Sequence, residues 1–107
     1  MPSAAVVIRI SRREADRPRL LQARAFDTNG GSRSGLPLSI TVDDNGTFED
    51  DDAAPVRERR VETPADGIVL LQWYEWPRNG PARDFTSTVT VTSDDESALV
   101  YLEDLFG

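Results

Sequence analysis

The chain contains no cysteine, no histidine and no lysine, and a single methionine among its 107 residues. Without cysteine there are no disulfides and no thiolate nucleophile. The loss of histidine as well removes every Cys/His zinc site, the Ser-His-Asp and Cys-His arrangements, and the usual haem ligands. Long apolar runs are missing too. The longest, such as Ile68 to Leu71, cover four residues, far short of the roughly 20 that cross a bilayer as a helix. The N-terminal stretch has no basic residue before Val6, Val7 and Ile8 and meets Arg9, Arg12 and Arg13 directly afterwards, which is not the pattern of a secretory signal. A cytoplasmic location is the resulting expectation.

What is present suits one compact domain spanning residues 1–107 with one modest core: 38% hydrophobic residues, including eight aromatic ones, against 29% charged. The net charge of −7 is unevenly spread. Residues 1–35 carry seven Arg against three acids, whereas residues 36–107 carry five Arg against sixteen. Such halves either give the molecule a dipole able to steer a partner or intermix in space. Arg12, Arg13, Arg17 and Arg19 form a basic cluster, but the overall negative charge opposes long-range attraction to nucleic acid. Neither nucleic acid nor membrane is an expected partner.

Strand patterns dominate. Val6, Ile8 and Ile10 recur at period two within residues 4–11, and Leu20 to Phe26 supplies a second β-compatible run. Residues 27–35, with three Gly and several small polar residues, read as a mobile surface loop. Leu36, Leu38, Ile40 and Val42 alternate with polar residues and run into Asp43-Asp-Asn-Gly46, a tight turn after which Phe48 closes a short return. The acidic stretch from Glu49 to Asp52 is a solvated link within a second loop, residues 43–55. Val56 to Glu62, with three Arg, fits a charged edge strand.

Residues 68–92 predict a hairpin. A turn centred on Asn79-Gly80 sets Ile68 opposite Val91, Leu70 opposite Val89 and Tyr74 opposite Phe85. Ser93-Asp-Asp-Glu96 has the form of a capping box, and Ala98, Leu99, Leu102, Leu105 and Phe106 make an apolar stripe at helical spacing. A helix over 94–105 follows. The predicted fold is therefore α+β: a mainly antiparallel sheet of five or six strands under one C-terminal helix, with a sandwich-like core as its variant.

Alternation along Trp73-Tyr74-Glu75-Trp76 points Trp73 away from Tyr74 and Trp76, so one helix cannot cover all three rings. Val69, Leu71 and Trp73 line the second face. Either a second sheet layer covers it, or a protein partner or second copy of the chain does, since Trp and Tyr are favoured interface anchors. The residues expected to bind that partner are Val69, Leu71, Trp73 and Trp76. The expected function is a non-enzymatic protein-interaction module or small accessory subunit, homo-oligomer included, with no cofactor and no metal. Two alternatives stand beside it. One is an acidic inhibitor occupying a basic cleft. The other is a small carboxylate-dependent hydrolase using Glu75 and Asp84, which the hairpin register sets opposite each other. The carboxylates of Asp43, Asp44, Glu49, Asp50, Asp51 and Asp52 suit a divalent cation in type but not in EF-hand spacing. The Gly-rich loop at 28–35 lacks the Lys of a phosphate-binding P-loop.

Overall fold

A computed structural model of the chain describes residues 1–11, 18–50, 53–77 and 83–105. They form eight strands and, among the described residues, no helix: β1 (Ser3–Ile10), β2 (Arg19–Phe26), β3 (Pro37–Val42), β4 (Gly46–Thr47), β5 (Glu58–Glu62), β6 (Ile68–Glu75), β7 (Phe85–Thr92) and β8 (Leu99–Asp104). Two antiparallel four-stranded sheets, ordered β1-β7-β3-β5 and β4-β6-β2-β8, enclose one hydrophobic core. Odd-numbered strands occupy one sheet and even-numbered strands the other. Consecutive strands therefore never pair, and every ladder joins segments distant in sequence.

Period-two alternation sets which side chains enter the core. In the first sheet Ile8, Ile10, Leu38, Ile40, Val89 and Val91 point inward. The second sheet contributes Leu21, Ala23, Ala25, Trp73 and Val100. The small Ala23 and Ala25 on central β2 leave room for Trp73, which is wholly buried. Its indole Nε1 donates to Ser87 Oγ at 3.1 Å, and that hydroxyl donates to Asp43 Oδ1 at 2.8 Å. This chain of polar contacts ties β6 in one sheet to β7 in the other. One end of the sandwich is closed by an inward-facing ion pair: Arg19 Nη1 lies 3.7 Å from Asp104 Oδ2, with both side chains about nine-tenths buried.

Three sequence expectations are overturned. The α+β class gives way to an all-β fold because residues 94–105 contain no helix: Leu99–Asp104 is β8, an edge strand paired with β2. The stripe that satisfies helical spacing also satisfies alternation, with Ala98, Val100 and Leu102 inward and Leu99, Tyr101 and Leu105 outward. Pairing with the open edge of β2 both bonds the backbone of this segment and buries its inner side chains, whereas a three-turn helix is marginal by itself. Nor does Ser93 cap a helix. Its Oγ accepts from the amide of Asp95, and the Asp95 carboxylate then accepts from the Ser97 amide and hydroxyl, folding a turn into the strand.

The hairpin over 68–92 does not form either. Leu70 lies opposite Gln22, and Val89 opposite Val6 and Val42, because β6 and β7 belong to different sheets. Its turn at Asn79-Gly80 lies outside the described residues. Both strands have an apolar inner face, so each pairs better as the centre of its own sheet than with the other. Likewise the turn at Asp43 leads not to a strand returning beside β3 but to β4, which crosses to pair with β6. The edge strand read at 56–62 is observed as β5.

Candidate functional site

The outer faces of the two sheets differ in chemistry. Outside the first, β7 presents Thr86, Thr88, Thr90 and Thr92, flanked by Ser39 and Thr41 on β3 and by Ala5, Val7 and Arg9 on β1. It is a face of hydroxyls. Outside the second, β6 presents Ile68 and Leu70, β2 presents Leu20, Gln22, Arg24 and Phe26, and β8 presents Leu99, Tyr101 and Glu103, with Leu105 just beyond. Leu70 is 58% exposed, Tyr101 48%, and Leu99 and Leu105 43% each. These are four of the six large apolar side chains exposed among the described residues, gathered on one face.

The centre of this face is organised. Arg24 sits across from Tyr101 and beside Phe26, its guanidinium carbon 5.9 Å and 5.7 Å from the two ring centres. Those rings meet edge to face at 5.7 Å. Arg24 Nε lies 3.7 Å from Glu103 Oε1, which also accepts from Gln22 Nε2 at 3.1 Å. Packing of the Arg24 guanidinium against this pair of rings restricts a side chain that otherwise loses much rotamer freedom when a surface binds.

The sequence-expected partner residues lie elsewhere. Trp73 is wholly buried, and Val69 and Leu71 are half-buried and packed against the core, so in the single chain the opposite sheet covers this line. Trp76 is half-buried just past the end of β6, its amide donating to Asn45 O at 3.0 Å. The exposed apolar face is the other side of the same strand together with β2 and β8. Sequence reasoning missed it because residues 94–105 were assigned to a helix. The signal was present in the alternation of Leu99, Tyr101 and Glu103.

Glu75 and Asp84 are not brought opposite one another. Glu75 faces Gly46 across the β6–β4 ladder, whereas Asp84 directly precedes β7 in the other sheet. The acidic segment is largely absorbed by pairing. Both oxygens of Asp43 are engaged, Oδ1 by Ser87 and the Asn45 amide and Oδ2 by the Thr88 amide at 2.9 Å. Asp44 lies 3.9 Å from Arg57, and Glu49 pairs with Arg59. Asp51 and Asp52 lie outside the described residues, among which no group of three His, Cys, Asp or Glu side chains is placed to hold a metal ion. In the Gly-rich loop the Asp27 carboxylate itself accepts from the amides of Asn29 and Gly31, both at 2.9 Å. It takes amides that would otherwise be available to a phosphate.

Two open clefts flank the first sheet. One, of about 490 Å³, lies at the ends of β3 and β5 between Leu38, Arg60, Val61 and Thr92; the other, of about 540 Å³, is bordered by Arg9, Ser11, Asp84 and Phe85. No helix among the described residues is long and apolar enough to cross a membrane. No known family, curated protein or solved structure matches the chain.

Proposed function

We propose that the chain is a non-enzymatic protein-interaction module whose contact surface is the outer face of β6, β2 and β8. The observation that carries this reading is the grouping of Leu70, Leu99 and Tyr101 around Arg24 and its two rings, with Leu105 beside Leu20 farther along the same face. Contiguous exposed apolar surface of this kind marks interaction sites, and Tyr and Arg are the side chains that most often dominate binding energy. The partner is a different protein rather than a second copy, because two chains of net charge −7 repel each other. Its matching surface is mainly apolar, with basic residues at the rim to meet exposed Asp66.

Affinity capture from the source cell tests this with three baits: wild type, Tyr101→Ala and Thr90→Ala. A protein held by wild type and Thr90→Ala and lost with Tyr101→Ala supports the reading, provided both variants unfold at the wild-type denaturant midpoint. Capture that is insensitive to Tyr101, or a stable homodimer by sedimentation, overturns it.

A further inference from the structure

The chain contains two turns of one sequence pattern, Asp27-Thr-Asn-Gly30 and Asp43-Asp-Asn-Gly46, which share two hydrogen bonds but differ at the glycine: Gly30 is left-handed, with φ of 87°, and Gly46 starts β4. In each, the Asn amide donates to the Asp Oδ1, at 2.9 Å and 3.1 Å, and the Gly amide donates to the Asp carbonyl, at 3.1 Å and 3.4 Å. What surrounds the two Asn-Gly pairs differs. Asn29 and Gly30 are exposed, the Asn29 side chain makes no hydrogen bond among the described residues, and the Cβ position of Gly30 looks onto open space. Asn45 is held at both ends of its amide: Nδ2 donates to Thr86 O at 2.9 Å, and Oδ1 accepts from Arg83 Nη2 at 3.1 Å. Gly46 is buried in β4 against the Trp73 indole.

We propose that Asn29 is a site of spontaneous deamidation and isoaspartate formation in the folded protein, and that the same dipeptide at Asn45 is held inert by its surroundings. The reaction needs no catalyst beyond water and base. The Gly30 amide nitrogen, after losing its proton to base, attacks Asn29 Cγ. The new N–C bond closes a five-membered succinimide while the Cγ–Nδ2 bond breaks, and ammonia leaves with a proton from solvent. Water then adds to one of the two ring carbonyls and opens it to an aspartyl or an isoaspartyl linkage.

Ring closure requires the side chain to swing over its own backbone and the following peptide plane to rotate. At residues 29 and 30 this costs the Gly30-to-Asp27 hydrogen bond, which has its equivalent in the other turn. At residues 45 and 46 it costs in addition both side-chain bonds of Asn45 and the β4–β6 pairing beside Trp73. The product at position 29 sets a second carboxylate beside that of Asp27. An isoaspartyl linkage also lengthens the backbone inside a turn closed by the 2.7 Å bond from the Asp27 amide to Gly31 O.

Trypsin separates the two sites, because Arg24, Arg33 and Arg57 bracket peptides 25–33 and 34–57. The folded protein is aged at mildly alkaline pH, and each peptide is scored by mass for loss of the amide and by electron-transfer fragmentation for isoaspartate. The Asn29 peptide converts at least about tenfold faster than the Asn45 peptide in the native protein, since two extra hydrogen bonds must break at the latter. In urea the two rates converge, and Asn29→Gln removes the product from peptide 25–33. Equal native rates, no product at Asn29, or a gap that persists in urea overturns the proposal.

Discussion

Gly46 has no space for a side chain, and the consequence can be worked out from contacts. A Cβ built there falls 2.1 Å from Trp73 Nε1, 2.9 Å from Trp73 Cδ1 and 2.8 Å from Val42 Cγ2. None of these atoms is the free end of a flexible chain. The indole is wholly buried, and its N–H is committed to Ser87 Oγ, which is itself committed to Asp43. Gly46→Ala must tilt the indole or push β4 away from β6. Overpacking of a filled core costs about 1–3 kcal/mol. Separating the Trp73 N–H from the Ser87 hydroxyl, both buried, adds about 1–3 kcal/mol. A total near 3–4 kcal/mol is a large part of the ~5–15 kcal/mol that holds a domain folded. It lowers Tm by something on the order of 10–25 °C. Urea unfolding followed by tryptophan fluorescence measures it directly. Gly35→Ala is the control: Gly35 has φ of 68° and nothing within 4 Å of its Cβ position, so only the left-handed backbone is penalised, by about 1–2 kcal/mol. Trp73→Phe removes the nearest clashing atom, the indole Nε1, and leaves the Val42 contact, so the double variant loses less than the sum of the singles. A Gly46→Ala protein within about 0.5 kcal/mol of wild type, or less affected than Gly35→Ala, refutes the reasoning.

Four further outcomes follow from named contacts. Asp104→Ala removes the carboxylate that faces the buried Arg19 guanidinium, which keeps its contact with Arg9 O, and destabilises by about 2–4 kcal/mol in chemical denaturation; an effect below about 1 kcal/mol means that the pair is solvated in solution. Hydrogen bonds from Ser97 and Arg33, with the nearby Arg33 charge, hold the Asp95 carboxyl at about 2, below its ordinary 3.8. Because the folded value is the lower one, the stabilisation by Asp95 is full above pH 3.8 and disappears as pH falls toward 2; the gap in unfolding midpoint between wild type and Asp95→Asn should close over that window, and a constant gap refutes it. Leu70→Asp on the exposed face leaves stability within about 0.5 kcal/mol, whereas Leu71→Asp, one residue along and packed against the core, costs at least about 2 kcal/mol; equal effects would show that β6 is oriented otherwise. Refolding is slow for so small a chain, in milliseconds to seconds by stopped-flow fluorescence, since every ladder is non-local; a microsecond phase carrying the full amplitude refutes the strand order.

Positions of most strands, β8 excepted, were legible in the residues and their partners were not. Alternation located β1 and β3 because it records which side chains are buried, and burial is similar whether the neighbouring strand comes from nearby or from far along the chain; β5 was legible only as a charged edge. Ile68 and Val91, for instance, suit a hairpin pair by apolarity, yet Ile68 lies opposite Arg24 and Val91 opposite Ala4 and Ile40. The helix failed for a related reason. Over 98–105 a stripe at spacings of one, three and three also fits a two-sided strand, and nothing local decides between them. What decides is the unpaired edge of β2, a tertiary fact. The line of Val69, Leu71 and Trp73 was visible as needing cover; the apolar face on the other side of the sheet became visible only once Leu99, Tyr101 and Leu105 were placed in a strand beside Arg24 and Phe26.

The same edge strand brings together charges that the sequence keeps apart. Arg19, Arg24 and Arg33, from the basic first third, pair with Asp104, Glu103 and Asp95 from the acidic end. Arg57 and Arg59 likewise meet Asp44 and Glu49. Bringing β8 against β2 thus neutralises locally much of what appears along the chain as a dipole, and it weakens the case for an acidic surface that enters a basic cleft. The pairing that removes the charge also lays Leu99 and Tyr101 beside Phe26 and Arg24, and Leu105 beside Leu20. On the proposed reading, association through that face rests on apolar contact, and the charges of its centre, Arg24 and Glu103, are already paired within the chain. Raising the salt concentration should slow the encounter with a basic-rimmed partner while leaving the lifetime of the complex nearly unchanged. A dissociation rate that climbs steeply with salt would return the acidic surface to the centre of recognition.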